Sequence, residues 1–183
     1  MHLKDLYIDR EWTLFLDRDG VINERLEDDY VKNTSEFRFL ERVPEAIASL
    51  FGIFGRILVV TNQQGIGKGL MTEEDLRIIH DHMVDGIVKA GGYIHKIYHC
   101  SSLERDEDPM RKPNTGMALK AQQDFPEIDF KKSIIVGDSM HDMEFGKRLG
   151  MIRVFILPDG EKVAGEHFDF RFPSLTAFAA RLA

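Results

Sequence analysis

The chain has 183 residues, 43% apolar and 30% charged, with a formal net charge of −7. That is room for one domain with a real core, and the negative sign gives no broad attraction to nucleic acid or anionic membranes. A lone Cys100 excludes an intrachain disulfide, MHLKDLYIDREW lacks the apolar core of a secretory signal, and no apolar run nears the ~20 residues of a membrane span. A cytoplasmic location, without membrane or nucleic-acid partners, is expected; the sequence carries no signal of oligomeric state.

Short β-rich runs alternate with longer helical patterns along the chain. TLFL (13–16) is the first strand, and Pro44 fits the first turn of a helix running to Phe51. ILVV (57–60) follows as a strand. Thr72 and Asp75 then form a capping box with Asp in place of Glu, opening a helix whose apolar face is Leu76, Ile79, Met83, Ile87 and Ala90. Gly91-Gly92 ends that helix. Next come IHKIY (94–98), a helical stretch from Asn114 to Phe125, SIIV (133–136), a helix from His141 closed by Gly150, and IRVFI (152–156). HFDFRF places Phe168, Phe170 and Phe172 at period two, as an edge strand would, and Ser174 starts a short terminal helix. Apolar strands alternating with amphipathic helices predict an α/β, Rossmann-like parallel sheet with helices on both faces, one domain over residues 1–183.

Ligands in such sheets bind beyond the carboxyl ends of the strands. The residues there are Asp17 and Asp19 after the first strand, Thr61 and Asn62 after the second, and Gly137, Asp138 and Asp142 after the fourth. Any one aspartate can simply cap the segment that follows it. Three carboxylates at one end of a sheet repel unless a cation sits among them, and a set of hard oxygen donors suits Mg²⁺ better than zinc. Arg111-Lys112-Pro113 supplies the counter-charge of an anion pocket.

Other segments are weaker. GIGKG (65–69) fails as a Walker A and as GxGxxG; it reads as a plain glycine turn or as a mobile substrate loop whose Lys68 meets a second phosphate. His80 and His82 lie two apart on a helix and cannot share a face, so they are no metal pair. His95 and His99 read as packing or hydrogen-bonding residues and Trp12 as a core or rim anchor, while for His141, inside GDSMHDM, contact with the site stays open.

DRDGVIN, VVTNQQ, RKP and GDSMHDM stand in the order and spacing of the haloacid dehalogenase superfamily, and the sequence resembles its heptose-bisphosphate and histidinol-phosphate phosphatase branch from about Thr13 to Met151. The resemblance implies that Asp17 is a nucleophile that becomes an aspartyl-phosphate, and that Asp19 is the acid and then the base. It implies that Thr61 and Lys112 hold phosphoryl oxygens and that Asn62 and Arg111 contact substrate. Mg²⁺ would rest on Asp17, the Asp19 carbonyl and Asp138, with Asp142 just behind. Asp19 would need a raised pKa, which proximity to Asp17 would favour.

Many relatives in this branch carry a zinc loop of three cysteines and a histidine before RKP. Here HCSSLERDEDPMRKP keeps only Cys100, with Ser102, Asp108 and Met110 where other ligands would stand. No zinc is expected, and packing and salt bridges should hold the loop. Only 44 positions separate Asp17 from Thr61, too few for a helix, a strand and a cap domain of ~50 residues, so a capless enzyme with an open site is expected. Loops 23–39, 63–71 and 101–110 would shape that site.

The expected function is a Mg²⁺-dependent phosphomonoester hydrolase acting on a small phosphorylated substrate such as D-glycero-D-manno-heptose 1,7-bisphosphate. Histidinol phosphate is the enzymatic alternative. A receiver-like phosphoacceptor signalling domain is the alternative from another class, although Asp19 and the GDxxxD element argue against it.

Overall fold

The computed structural model describes residues 3–160 and 167–183; Met1 and His2 of the N-terminal stretch lie outside them. The chain order is β1 (Thr13–Leu16), α1 (Val43–Phe51), β2 (Arg56–Asn62), a one-turn α2 (Gln64–Gly67), α3 (Glu73–Lys89), β3 (Lys96–Cys100) and α4 (Gly116–Asp124), then β4 (Ser133–Gly137), α5 (Met140–Leu149), β5 (Ile152–Ile156), β6 (Phe170–Phe172) and α6 (Leu175–Leu182). The strands form one all-parallel sheet in the order β3-β2-β1-β4-β5-β6.

Alternation along the strands decides the layers. Leu14, Leu16, Ile57, Val59, Ile134 and Val136 face Ile47, Leu50, Ile79, Met83 and Phe178 of α1, α3 and α6. Phe15, Leu58, Val60 and Ile135 face Met117 and Ala121 of α4 and Phe145 of α5. The register Leu14↔Ile57 and Leu14↔Ile134 keeps each set on its own face, and a slip of one residue would exchange them.

The expected elements form, with small shifts. The third strand runs from Lys96 to Cys100 rather than from Ile94, because its pairing with β2 begins at Leu58↔Lys96 and ends at Asn62↔Cys100. The capping box at Thr72 forms in both directions, Thr72 Oγ1 accepting from Asp75 N and the Asp75 carboxylate from Thr72 N. At the start of α5 the Asp142 carboxylate accepts from the Ser139 N–H at 3.2 Å and from its hydroxyl at 2.5 Å. The HFDFRF strand joins the sheet edge parallel to β5. No helix of the described residues is long and apolar enough to cross a membrane.

Strand order reverses direction between β1 and β4, so the loops leaving their carboxyl ends diverge and open a crevice. Asp17 leaves β1 there and Asp138 leaves β4.

Candidate active site

At that crevice lies a cavity of about 320 Å³, lined among others by Asp17, Asp19, Arg25, Asn62, Arg111, Lys112 and His141. Asp17, Asp138 and Asp142 each bring one carboxylate oxygen within 4.8 Å of the others. Asp142 is fully buried, its Oδ1 accepting from Lys112 and its Oδ2 from the Ser139 N–H and hydroxyl.

Lys112 holds this cluster together. Its ammonium lies 2.9 Å from Asp17 Oδ1 and 2.5 Å from Asp142 Oδ1, and donates to the Val60 carbonyl at 2.7 Å. Those contacts use all three of its donors. Lys112 therefore neutralises carboxylates in this state, and it would reach a phosphoryl oxygen only by exchanging one of these partners. Asn62, expected at the substrate, uses its amide to fix the Lys112 backbone, donating to its carbonyl and accepting from its N–H, both at 3.0 Å.

Burial pushes the Asp17 carboxyl up to about 6, with Asp142 adding to the shift and Lys112 opposing it. Burial, then repulsion from Asp17, pushes Asp138 up to about 8, against the pull of Arg25. Arg25 Nη1 lies 3.1 Å from Asp138 Oδ2, while Asp138 Oδ1 is buried with no hydrogen-bond partner. A partnerless buried oxygen beside two further carboxylates, in a set without nitrogen or sulfur, fits a hard divalent cation. Gly20, at φ +85°, makes room for it: a Cβ there would lie 1.9 Å from Asp138 Oδ2.

Asp19 differs from the sequence expectation. Burial would raise its pKa, but the Arg18 guanidinium and hydrogen bonds from Arg18, Asn23 and Gln63 outweigh burial and lower it. Arg18 Nη2 donates to both oxygens at 2.9 and 3.0 Å, Asn23 Nδ2 to Oδ1 at 2.9 Å, and Gln63 Nε2 to Oδ2 at 2.8 Å. Thr61 is buried and does not line the cavity; its hydroxyl oxygen accepts from the same Gln63 amide at 2.8 Å.

Sequence reasoning passed over Arg18, Gln63 and Arg25, and weighed His80 only as half of a metal pair with His82. Arg18 is wholly buried beneath the cavity, and its Nη1 lies 3.3 Å from His80 Nε2. Burial, then the Arg18 charge, brings His80 down to about 3, so the ring is neutral and accepts from the guanidinium. A signal for His80 was present: it stands at i+4 from Leu76 and i−3 from Met83, on the apolar face of α3.

The loop before RKP is held by hydrogen bonds centred on Asp108, where salt bridges were expected. Ser102 Oγ and the Met110 N–H donate to its carboxylate, and Cys100 bonds to it as well. Asn114 donates to the Asp108 carbonyl at 2.9 Å. Lys68, the candidate for a second phosphate, stands 5.1 Å over the Tyr30 ring and does not line the cavity. His95 and His99 hydrogen-bond as expected, His95 Nδ1 accepting from the Ile57 N–H and His99 pairing with Glu73.

Comparison with known proteins agrees with this geometry. A family profile described as polynucleotide kinase 3 phosphatase matches residues 14–168. The chain is 39% identical over 155 residues to the D-glycero-alpha-D-manno-heptose-1,7-bisphosphate 7-phosphatase of Campylobacter jejuni, covering 85% of this chain and 87% of that one. It is also 39% identical over 134 residues to the enzyme of that name from Mycobacterium bovis, covering 73% and 70%. Its fold superposes on the D,D-heptose 1,7-bisphosphate phosphatase of B. bronchiseptica, crystallised with magnesium and phosphate, with a TM-score of 0.81 at 27% identity, covering 93% of this chain and 97% of that one. The chain is a phosphatase of the haloacid dehalogenase superfamily and belongs to its heptose-bisphosphate phosphatase family.

Proposed function

We propose that this chain hydrolyses the 7-phosphate of D-glycero-D-manno-heptose 1,7-bisphosphate, with Asp17 as nucleophile. The observation that carries the reading is the convergence of Asp17, Asp138, Asp142 and Lys112 beside one cavity, which Asp17 and Lys112 line. The names of the relatives from Campylobacter jejuni and Mycobacterium bovis supply the substrate.

An Asp17 oxygen attacks phosphorus and the bond to the sugar oxygen breaks, leaving an aspartyl-phosphate. Asp19 gives its proton to the departing alkoxide. It then takes a proton from the water whose oxygen attacks phosphorus and releases Asp17. Its donors hold the Asp19 carboxyl below the usual carboxylate range, so it takes up the proton for the first step as substrate binds. A phosphate entering beside Asp19 adds negative charge and raises its proton affinity. Asp17, Asp138 and the Asp19 carbonyl would hold Mg²⁺, which when bound neutralises phosphoryl oxygens and aligns them for in-line displacement.

Arg111 lines the cavity with most of its side chain buried, its Nη1 3.4 Å from the Ser102 carbonyl. Arg25 lines the same cavity. Two guanidiniums near one mouth suit a substrate bearing a second phosphate.

Phosphate release with Mg²⁺ should be measured across heptose bisphosphate, histidinol phosphate, other sugar phosphates and a 3′-phosphorylated oligonucleotide. A preference for the heptose of at least about tenfold in kcat/KM is expected. Preference for any other member overturns the substrate. Silence on all of them, with Asp17 still labelled by a small phosphodonor, overturns hydrolysis.

A further inference from the structure

Gln63 lies just past the end of β2 and is almost wholly buried, its N–H donating to the Cys100 carbonyl at 2.7 Å. Its side chain is fully used. One amide hydrogen faces Asp19 Oδ2 and the other Thr61 Oγ1, both with Nε2 at 2.8 Å, while Oε1 accepts from Arg18 Nη2 at 3.2 Å. Behind it, neutral His80 accepts from the other end of the same guanidinium. One amide thus touches the buried Thr61, the Asp19 carboxyl and the buried arginine that fixes that carboxyl.

We infer that Gln63 is a positioning residue that sets Asp19 for leaving-group protonation. Arg18 pins both oxygens of Asp19, and Gln63 pins Arg18, so the carboxyl's direction is over-determined from below. The Thr61 oxygen accepts from Gln63, which leaves its own hydrogen free to donate elsewhere. This inference rests on Asp19 acting as the acid.

The chemistry offers a readout that a purely structural role would not move. An alkyl phosphate needs its leaving oxygen protonated, whereas 2,4-dinitrophenyl phosphate does not. Gln63→Met keeps the length of the side chain and removes every polar contact. Gln63→Leu, likewise neutral and without polar contacts, serves as a second variant should the first fold poorly.

First-turnover rates on heptose bisphosphate and on 2,4-dinitrophenyl phosphate would be compared for the wild type, both Gln63 variants and Asp19→Asn. The alkyl-to-aryl rate ratio is expected to fall at least about tenfold in either Gln63 variant, part of the 10²–10⁴-fold a placed acid supplies. KM for the sugar should stay within about twofold, and the Gln63 change should add little in the Asp19→Asn background. A ratio unchanged in both Gln63 variants, or losses that multiply with Asp19→Asn, overturns the inference. An Asp19→Asn enzyme with its ratio intact overturns the acid role itself, and with it this proposal.

Discussion

Asp17 and Asp19 are separated by one residue, yet they live in opposite electrostatic surroundings. Asp17 belongs to a crowded set of carboxylates with one lysine among them, and its proton is held up to about 6. Asp19 sits in a cradle of donors that lowers its pKa, with every oxygen partnered. β1 ends at Leu16, and the bend at Arg18 that follows gives the two carboxyls different neighbours. The lesson is that the acidic cluster is built short of positive charge and the cradle is built with enough. The first arrangement favours a cation; the second can stand alone.

The strongest way to break this contrast is at the nucleophile. Asp17→Asn is expected to lower kcat more than about 10³-fold while far-ultraviolet circular dichroism stays native, since the amide cannot form the phosphoryl ester. Retention of wild-type turnover would remove the covalent route.

Lys112→Met strips the cluster of the cation at its centre. Leaving buried carboxylates without that partner is expected to cost about 3–5 kcal/mol in urea unfolding, and the loss should shrink when Asp142→Asn is added. An equal loss in both backgrounds would mean that the lysine acts by packing alone.

Asp138→Asn works in the other direction. The unfolded chain releases its carboxylate protons near pH 4, whereas Asp17 and Asp138 keep theirs to about 6 and 8 in the metal-free fold. The folded state thus binds more protons across that window, and metal-free stability falls as pH rises from about 4 towards 8. In chelator, the wild type should melt lower at pH 8 than at pH 5.5, and Asp138→Asn should flatten the difference. Calorimetric titration with Mg²⁺ should show weaker binding by the variant. A pH-independent melting temperature, or unchanged Mg²⁺ affinity, would remove Asp138 from the cluster's electrostatics.

The smallest effect is expected furthest from both carboxyls. Ser102→Ala takes one hydrogen bond from Asp108 and should cost about 1 kcal/mol, raising KM more than it lowers kcat because the loop borders Arg111. A larger fall in kcat than in affinity would tie this loop to the chemistry.

What could be read in advance follows a physical divide. Strand ends announce themselves, because an apolar run that stops at Asp17, Thr61 or Asp138 marks both the sheet and the mouth of its crevice. Direction of a side chain does not announce itself. Nothing in DRDG says that Arg18 turns inward to become fully buried, or that its charge reverses the expected shift of Asp19. Lys112 is legible as a cation near phosphate, but the saturation of its three donors depends on a carbonyl of β2 and an aspartate of α5 arriving together. Gln63 was hidden in the plain run TNQQ, where only folding separates a buried amide from its half-exposed neighbour Gln64.

The turn at Gly20 bears on how this sequence can vary. Its α-carbon faces an oxygen of Asp138, a residue far along the chain, with space for nothing but hydrogen between them. Even alanine would have to push the carboxylate out of the cluster, and the left-handed backbone would resist it as well. A random library selected for turnover would therefore keep glycine at position 20 as strictly as aspartate at 17, although position 20 contributes no side chain to any reaction step. What is inherited there is a vacant volume, shared by two segments that cannot drift independently.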